Sequence, residues 1–172
     1  VGPFGEASLD FLAGMGQDNL DEFGAALASE SEVRDFLEAQ APGLRAAQAA
    51  DLVAEMGSLL PEVDRAVLSD EFGDFLVASF REALRVSVDG WIDDDLAFTR
   101  PWGFDLADVV APVSLWQGSA DLMVPFAHGT WLAERLPLVY PHLLAGEGHL
   151  SIAVGMAEAM VAEIAALAEQ PD

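Results

Sequence analysis

The chain has 172 residues, 52% of them hydrophobic, enough to build one domain around a real core. Its net charge of -23, with seven arginines and no lysine, excludes the basic patches that nucleic acid or an anionic membrane requires, and reads as a solvated acidic surface. The absence of cysteine excludes disulfides, thiolate catalysis and cysteine-ligated zinc.

The start, VGPFGEASLD, has no basic segment leading into an apolar one, so no secretory signal is expected there. No long uncharged apolar run follows, which predicts no membrane span and a cytoplasmic location. The first residue, Val1, suggests a piece of a longer protein.

The first half reads as successive helices. Leu9, Leu12, Leu20, Phe23 and Leu27 recur at intervals suited to a helix, with Gly14 and Gly16 as candidate breaks. SESEVRDFLEA offers Ser29 as an N-cap with Glu32 three residues on. A new helix is expected to begin at Pro42 and to close near Gly57. PEVDRAVL is a short helix, and DEFGDFLVASFREALRV a long amphipathic one with Phe72, Phe75, Leu76, Phe80 and Leu84 on its apolar face. SVDGWIDDDLAFTRPWGFDLADVVAP, with its glycines, prolines and Asp93, Asp94 and Asp95, is expected to be a loop-rich connector.

The texture then changes. PVSLWQG, ending at Gly118, is apolar and β-branched and reads as a buried strand. SADLMVP is a turn and FAHGTWLAERL a helix. PLVYPHLLAG is a second strand despite its prolines, GEGHLSI a loop, and AVGMAEAMVAEIAALAEQ a closing helix. Strand, helix, strand, helix implies a parallel pair with a right-handed crossover. Such strands are normally covered on both faces and flanked by further strands, so the first looks built for the middle of a larger sheet.

Asp121 follows the carboxyl end of the first strand, and His149 that of the second. Parallel strands bring those two loops to one edge, where open α/β sheets bind ligands. A buried carboxylate that holds an imidazole in one tautomer lets the histidine act as a general base. Taken singly, Asp121 also suits a turn-closing aspartate and His149 a surface histidine. His128 reads as a packing or surface histidine and His142 as a core or edge residue. Three consecutive aspartates cannot all face one ion from regular structure, so no metal is expected. Trp91 and Trp102 flank the connector and are candidates for lining a substrate cleft, with domain-junction packing as the other reading. Met123 and Val124, beside the acid, are candidates for touching an apolar substrate.

PVSLWQGSADLMVPFAHGTWLAERLP followed by HLLAGEGHLSI resembles the C-terminal part of the α/β-hydrolase fold, where an acid follows a late strand and the catalytic histidine lies after the last one. The resemblance implies Asp121 as the acid and His149 as the base, in the family's order. It also implies that residues 1–95 form the helical cap these enzymes insert, and that residues 96–172 belong to the core. The motif agreement is sharp over about the last third of the chain. No G-x-S-x-G occurs, and Ser58 has Leu60 where the second glycine is needed. The expected fold is thus an incomplete α/β-hydrolase: a mainly helical cap, then two parallel strands with their helices.

The implied activity is hydrolysis of a small apolar ester, lactone or amide, without cofactor, by a triad whose serine lies in a missing N-terminal part; the isolated chain is expected to be inactive. A second possibility keeps the fold with an aspartate nucleophile, as in related dehalogenases. A third is a non-catalytic acidic helical interaction module that self-associates through an exposed strand edge.

Overall fold

The computed structural model describes residues 1–169. Helices dominate it, and a two-stranded parallel sheet closes the carboxyl-terminal third. Residues 1–16 form no helix: the run from Leu9 is broken before Gly16, and α1 begins at Gln17 and runs to Ala28. Phe11 and Met15 of that opening segment pack with Phe23 of α1 in a small aromatic cluster.

Ser29 ends one helix and starts the next. Its N–H donates to Ala25 O, and its hydroxyl accepts from the N–H of Glu32 at 3.1 Å, opening α2 (Glu30–Ala46). The expected helix start at Pro42 is wrong, because α2 continues through that proline to Ala46. The burial of Val33, Leu37 and Ala41 along one stripe outweighs the hydrogen bond that a proline nitrogen cannot make.

Beyond a single 3-10 turn, Ala49–Asp51, come α3 (Leu52–Glu55), α4 (Glu62–Val67), α5 (Asp70–Ala83) and α6 (Asp89–Phe98). In α5 the inward stripe is Gly73 and Val77, continued by Leu84, rather than the whole row of phenylalanines; Phe75 is 63% exposed and stacks on Phe72. Gly73 leads because α5 crosses closely there: a methyl group at that position would lie 2.9 Å from Ala49 Cβ. Val33 and Leu37 of α2, Leu84, Val88 and Ile92 of α6 make the main apolar core.

The acidic connector is a second correction. Its Asp93–Asp95 run lies within α6, with Asp93 and Asp94 exposed and Asp95 buried. Ile92 anchors the helix in the core, so a turn that reads as polar is carried by the residues on either side. The boundary expected at residue 95 falls inside α6, and the irregular connector begins only at Thr99.

β1 (Val113–Gly118) and β2 (Val139–Leu144) run parallel, with Val113 opposite Val139 and Gly118 opposite Leu144; α7 (Phe126–Ala133) connects them. The N–H of Val113 bonds to Leu138 O and that of Ser119 to Leu144 O, so the odd-numbered residues of β1 face β2. In a parallel ladder the main-chain groups of Ser114, Trp116 and Gly118 then point to the free edge. By the same parity Pro141 points its nitrogen away from β1, so a proline in this strand costs no ladder bond.

Each face of the pair meets a helix, although Pro141 and Leu143 of β2 stay exposed. Gly129 of α7 packs on Gln117 on one face. On the other, Trp116 stacks on His142 at 3.8 Å, and Glu163 accepts from Ser114 and bonds His142 Nε2 at 2.8 Å. Glu163 belongs to α9 (Ala157–Ala168), which follows α8 (His149–Gly155). The closing helix expected as one piece is therefore two, bent by 69°. His149, expected in a loop, is the first residue of α8. Among the described residues no single helix is long and apolar enough to cross a membrane.

Asp95 is 2% exposed, and its Oδ2 has no hydrogen-bond donor within reach. Burial first, and the charge and hydrogen bond of Glu22 second, push its carboxyl up to about 8. A raised carboxyl binds more protons in the folded than in the unfolded chain, so its contribution to stability falls as pH rises from about 4 to about 8. Asp95→Asn, which keeps the shape and removes the titration, is expected to stabilise the protein at pH 8 by about 1–3 kcal/mol. Urea denaturation at pH 5 and pH 8 checks this; equal effects at both pH values would contradict it.

Candidate active site

The loop after β1 turns back on itself around Asp121. The side chain of Asp121 is 4% exposed. Oδ1 accepts the backbone N–H groups of Met123 at 2.9 Å and Val124 at 2.8 Å. Oδ2 accepts from Gln117 Nε2 at 3.1 Å and faces His149 Nδ1 at 2.9 Å. Four donors saturate the carboxylate and fix its orientation.

Gln117 is itself held by Val124 O at 2.8 Å, so β1 and the acid loop form one unit. The loop is also tied to the helical layer: Gly16 N donates to Leu122 O, and Asn19 Nδ2 to Met123 O.

The loop before α8 approaches the end of β1 where neither chain has room for a side chain. A Cβ at Gly118 would lie 2.2 Å from Glu147 O. Ala120 N donates to that same oxygen, and Gly146 N donates to Ser119 Oγ. His149 thus enters the site from a laced backbone. With Nδ1–H donated to Asp121, Nε2 is the nitrogen left for chemistry, and among the described residues no protein group hydrogen-bonds it. The imidazole is 43% exposed. The hydrogen bond it donates to Asp121 raises its pKa above the ordinary histidine value, with burial opposing and the charges of Asp121 and Asp64 assisting.

The pair borders a cavity of about 320 Å³ lined by Leu115, Val124, Leu132, Ile152 and Met160 with Gln117. It follows β1 from Leu115 to Gly118, between α7 and the helices α8 and α9. No serine or threonine is among its lining residues.

The other candidates separate. Val124 lines this cavity; Met123 contributes its backbone N–H to Asp121, and its side chain does not line it. Trp91 lies in the helical layer, donating to Glu22 Oε1 at 2.6 Å beside a different cavity. Trp102 stacks on Phe104 in an open groove with Phe4 and Trp131. His128 is fully buried: Nδ1 accepts from Gly2 N and Nε2 faces Phe11 O, each at 2.9 Å, while burial lowers its pKa, so it staples the opening segment to α7. His142 sits in β2 against Trp116. Among the described residues no group of three or more histidine or acidic side chains is set to hold a metal ion.

Two contributors were not foreseen. Gln117 carried a signal, as a polar residue inside an apolar strand. Asp64 carried none, being one acid among thirty. It reaches from α4 to the first turn of α8.

No protein-family model matches the chain, and no curated protein or solved structure does.

Asp121→Asn is expected to lower the His149 titration and to destabilise the fold by about 1–3 kcal/mol, since an amide cannot accept all four donors. The sign follows from the raised histidine: the charged pair contributes below the ordinary histidine pKa and is lost as pH rises through the folded value. The loss should therefore be larger at pH 5 than at pH 9. Imidazole NMR with denaturation at both pH values is the check.

Proposed function

We propose that the chain supplies the acid and the base of a hydrolytic triad acting on a small apolar ester, lactone or amide. The observation that carries this reading is the 2.9 Å contact from His149 Nδ1 to a buried Asp121, which leaves Nε2 open beside an apolar cavity. Asp121 selects the tautomer in which Nε2 is basic and stabilises the imidazolium formed when Nε2 takes a proton.

In this reading a serine hydroxyl attacks the substrate carbonyl and gives its proton to Nε2. His149 then passes the proton to the departing alcohol or amine. A water repeats the sequence: its proton goes to Nε2, its oxygen to the acyl carbon, and the serine recovers a proton as the acid leaves.

The serine is not among the residues lining the cavity. It belongs, in this proposal, to a segment pairing along the free edge of β1, whose unpaired groups lead to the same cavity. The helical residues form the cap over the cleft.

The test is fluorophosphonate labelling of the protein as isolated from its source, read by denaturing intact mass. An adduct on a serine-bearing polypeptide that carries or accompanies this chain is expected, and His149→Ala should slow labelling by about a thousandfold or more. An unlabelled 172-residue chain as the sole species would overturn the serine reading. An alkyl adduct on an aspartate after haloalkane treatment would replace it with the dehalogenase-like one.

A further inference from the structure

Asp64 lies on α4 in the helical layer, yet both of its oxygens serve the helical turn that carries the histidine. Oδ2 accepts the backbone N–H of His149 at 2.9 Å, and Oδ1 accepts that of Ser151 at 2.8 Å. The residue is wholly inaccessible to solvent, and among the described residues no arginine forms an ion pair with it. A buried carboxyl without a cation is costly unless donors surround it. Here they are the N–H groups that the first turn of α8 leaves without an intrahelical partner.

The fit admits little else. A Cβ at Gly148 would fall 2.3 Å from Asp64 Oδ1, so the loop has given up a side chain at the point of contact. The same turn has a local lock too: Gly148 N donates to Ser151 Oγ, which donates to Glu147 Oε2 at 2.6 Å. That lock serves Gly148 N alone and leaves the N–H groups of His149 and Ser151 to Asp64, which holds the main chain of the histidine itself.

We infer that Asp64 is a positioning residue for His149: it fixes the main chain of the base and sets a second negative charge, after Asp121, against the imidazolium. The inference rests on the reading of Asp121 and His149 as acid and base. Asp64 thereby makes the helical layer part of the site, since a displacement of α4 withdraws the anchor of His149 and this charge together.

Charged groups act on the imidazole from two of the surrounding elements. Asp121 after β1 and Asp64 of α4 favour its charged form. Glu147, just before the helix, is occupied by the Ser151 hydroxyl.

The experiment is an NMR titration of the His149 imidazole in wild type and Asp64→Asn, with amide exchange read at His149 and Ser151. An asparagine has one acceptor oxygen, so one of the two N–H groups would face an NH2 donor. The expected result is a folded protein whose His149 titrates at lower pH, with exchange about tenfold faster at one or both amides. In the active assembly the acid limb of the kcat/KM profile should move the same way, because the base works when deprotonated. An unchanged His149 titration in a folded Asp64→Asn protein would make Asp64 a helix cap only and overturn the inference.

Should that variant not fold, Asp64→Ser, with one acceptor and no charge, gives the same readout; failure of both to fold assigns Asp64 to stability alone and also overturns it. The titration needs neither substrate nor nucleophile. A missing fluorophosphonate adduct would thus count against the hydrolase reading and leave the Asp64 result standing, whereas a labelled serine with an unmoved titration would do the reverse.

Discussion

The site depends on two places where the chain has no side chain. At Gly118 the main chain of β1 meets Glu147 O at a distance no Cβ permits, and at Gly148 the next loop residue lies against the Asp64 carboxyl in the same way. Three segments far apart in sequence meet there: the end of β1, the loop after β2, and α4. Hydrogen bonds from Ser119, Ala120 and Gly146 lace the first two together, and Asp64 ties the third, α4, to the start of α8. Once these backbones are fixed, the Asp121–His149 contact needs no adjustment from flexible side chains. Such preorganisation is what a general base requires, because ångström-scale misplacement of a reacting group is costly in rate.

The buried acids explain how so acidic a chain can fold over them. Seven arginines cannot neutralise thirty carboxyl groups, and several are turned elsewhere: Arg45, Arg65 and Arg81 donate to backbone carbonyls. Asp121 and Asp64 are instead surrounded by N–H donors, mostly from the backbone. Asp95 has no such donors and meets Glu22, so burial and repulsion favour the state that keeps a proton. For Asp95 the lack of N–H donors leaves burial and the charge of Glu22 to raise the carboxyl.

Much of this was legible in the sequence, and the exceptions have physical causes. The two strands, the helix between them and the Ser29 cap follow from local chemistry. The pairing of Asp121 with His149 follows from parallel strands bringing their carboxyl ends together. The sequence misled where burial overrode local preference: Pro42 lies inside α2, and the aspartate run inside α6, because their neighbours Ala41 and Ile92 are anchored in the core. It was silent where a residue acts across the chain. Asp64 stands 85 positions from the histidine whose N–H it accepts, and no local pattern marks it. The four apolar candidates divided for the same reason, since only contacts between distant segments decide which cavity a tryptophan faces.

The two edges of the sheet differ in a way that bears on the proposed triad. On the outer side of β2, Pro141 has no N–H to offer a neighbour, and proline on an edge discourages pairing. On the outer side of β1 the main-chain groups of Ser114 and Trp116 point to the free edge, and the cavity runs from Leu115 and Trp116 to the acid and histidine. A strand added to this sheet is therefore steered to β1, and one running parallel to it would end beside Nε2. In the proposed triad, a strand that completes the sheet and delivers the nucleophile accounts for both the open edge and the unpartnered imidazole nitrogen. Self-association through the edge would instead pair two copies of β1, whose one hydroxyl, that of Ser114, is already engaged by Glu163 and Trp116 Nε1.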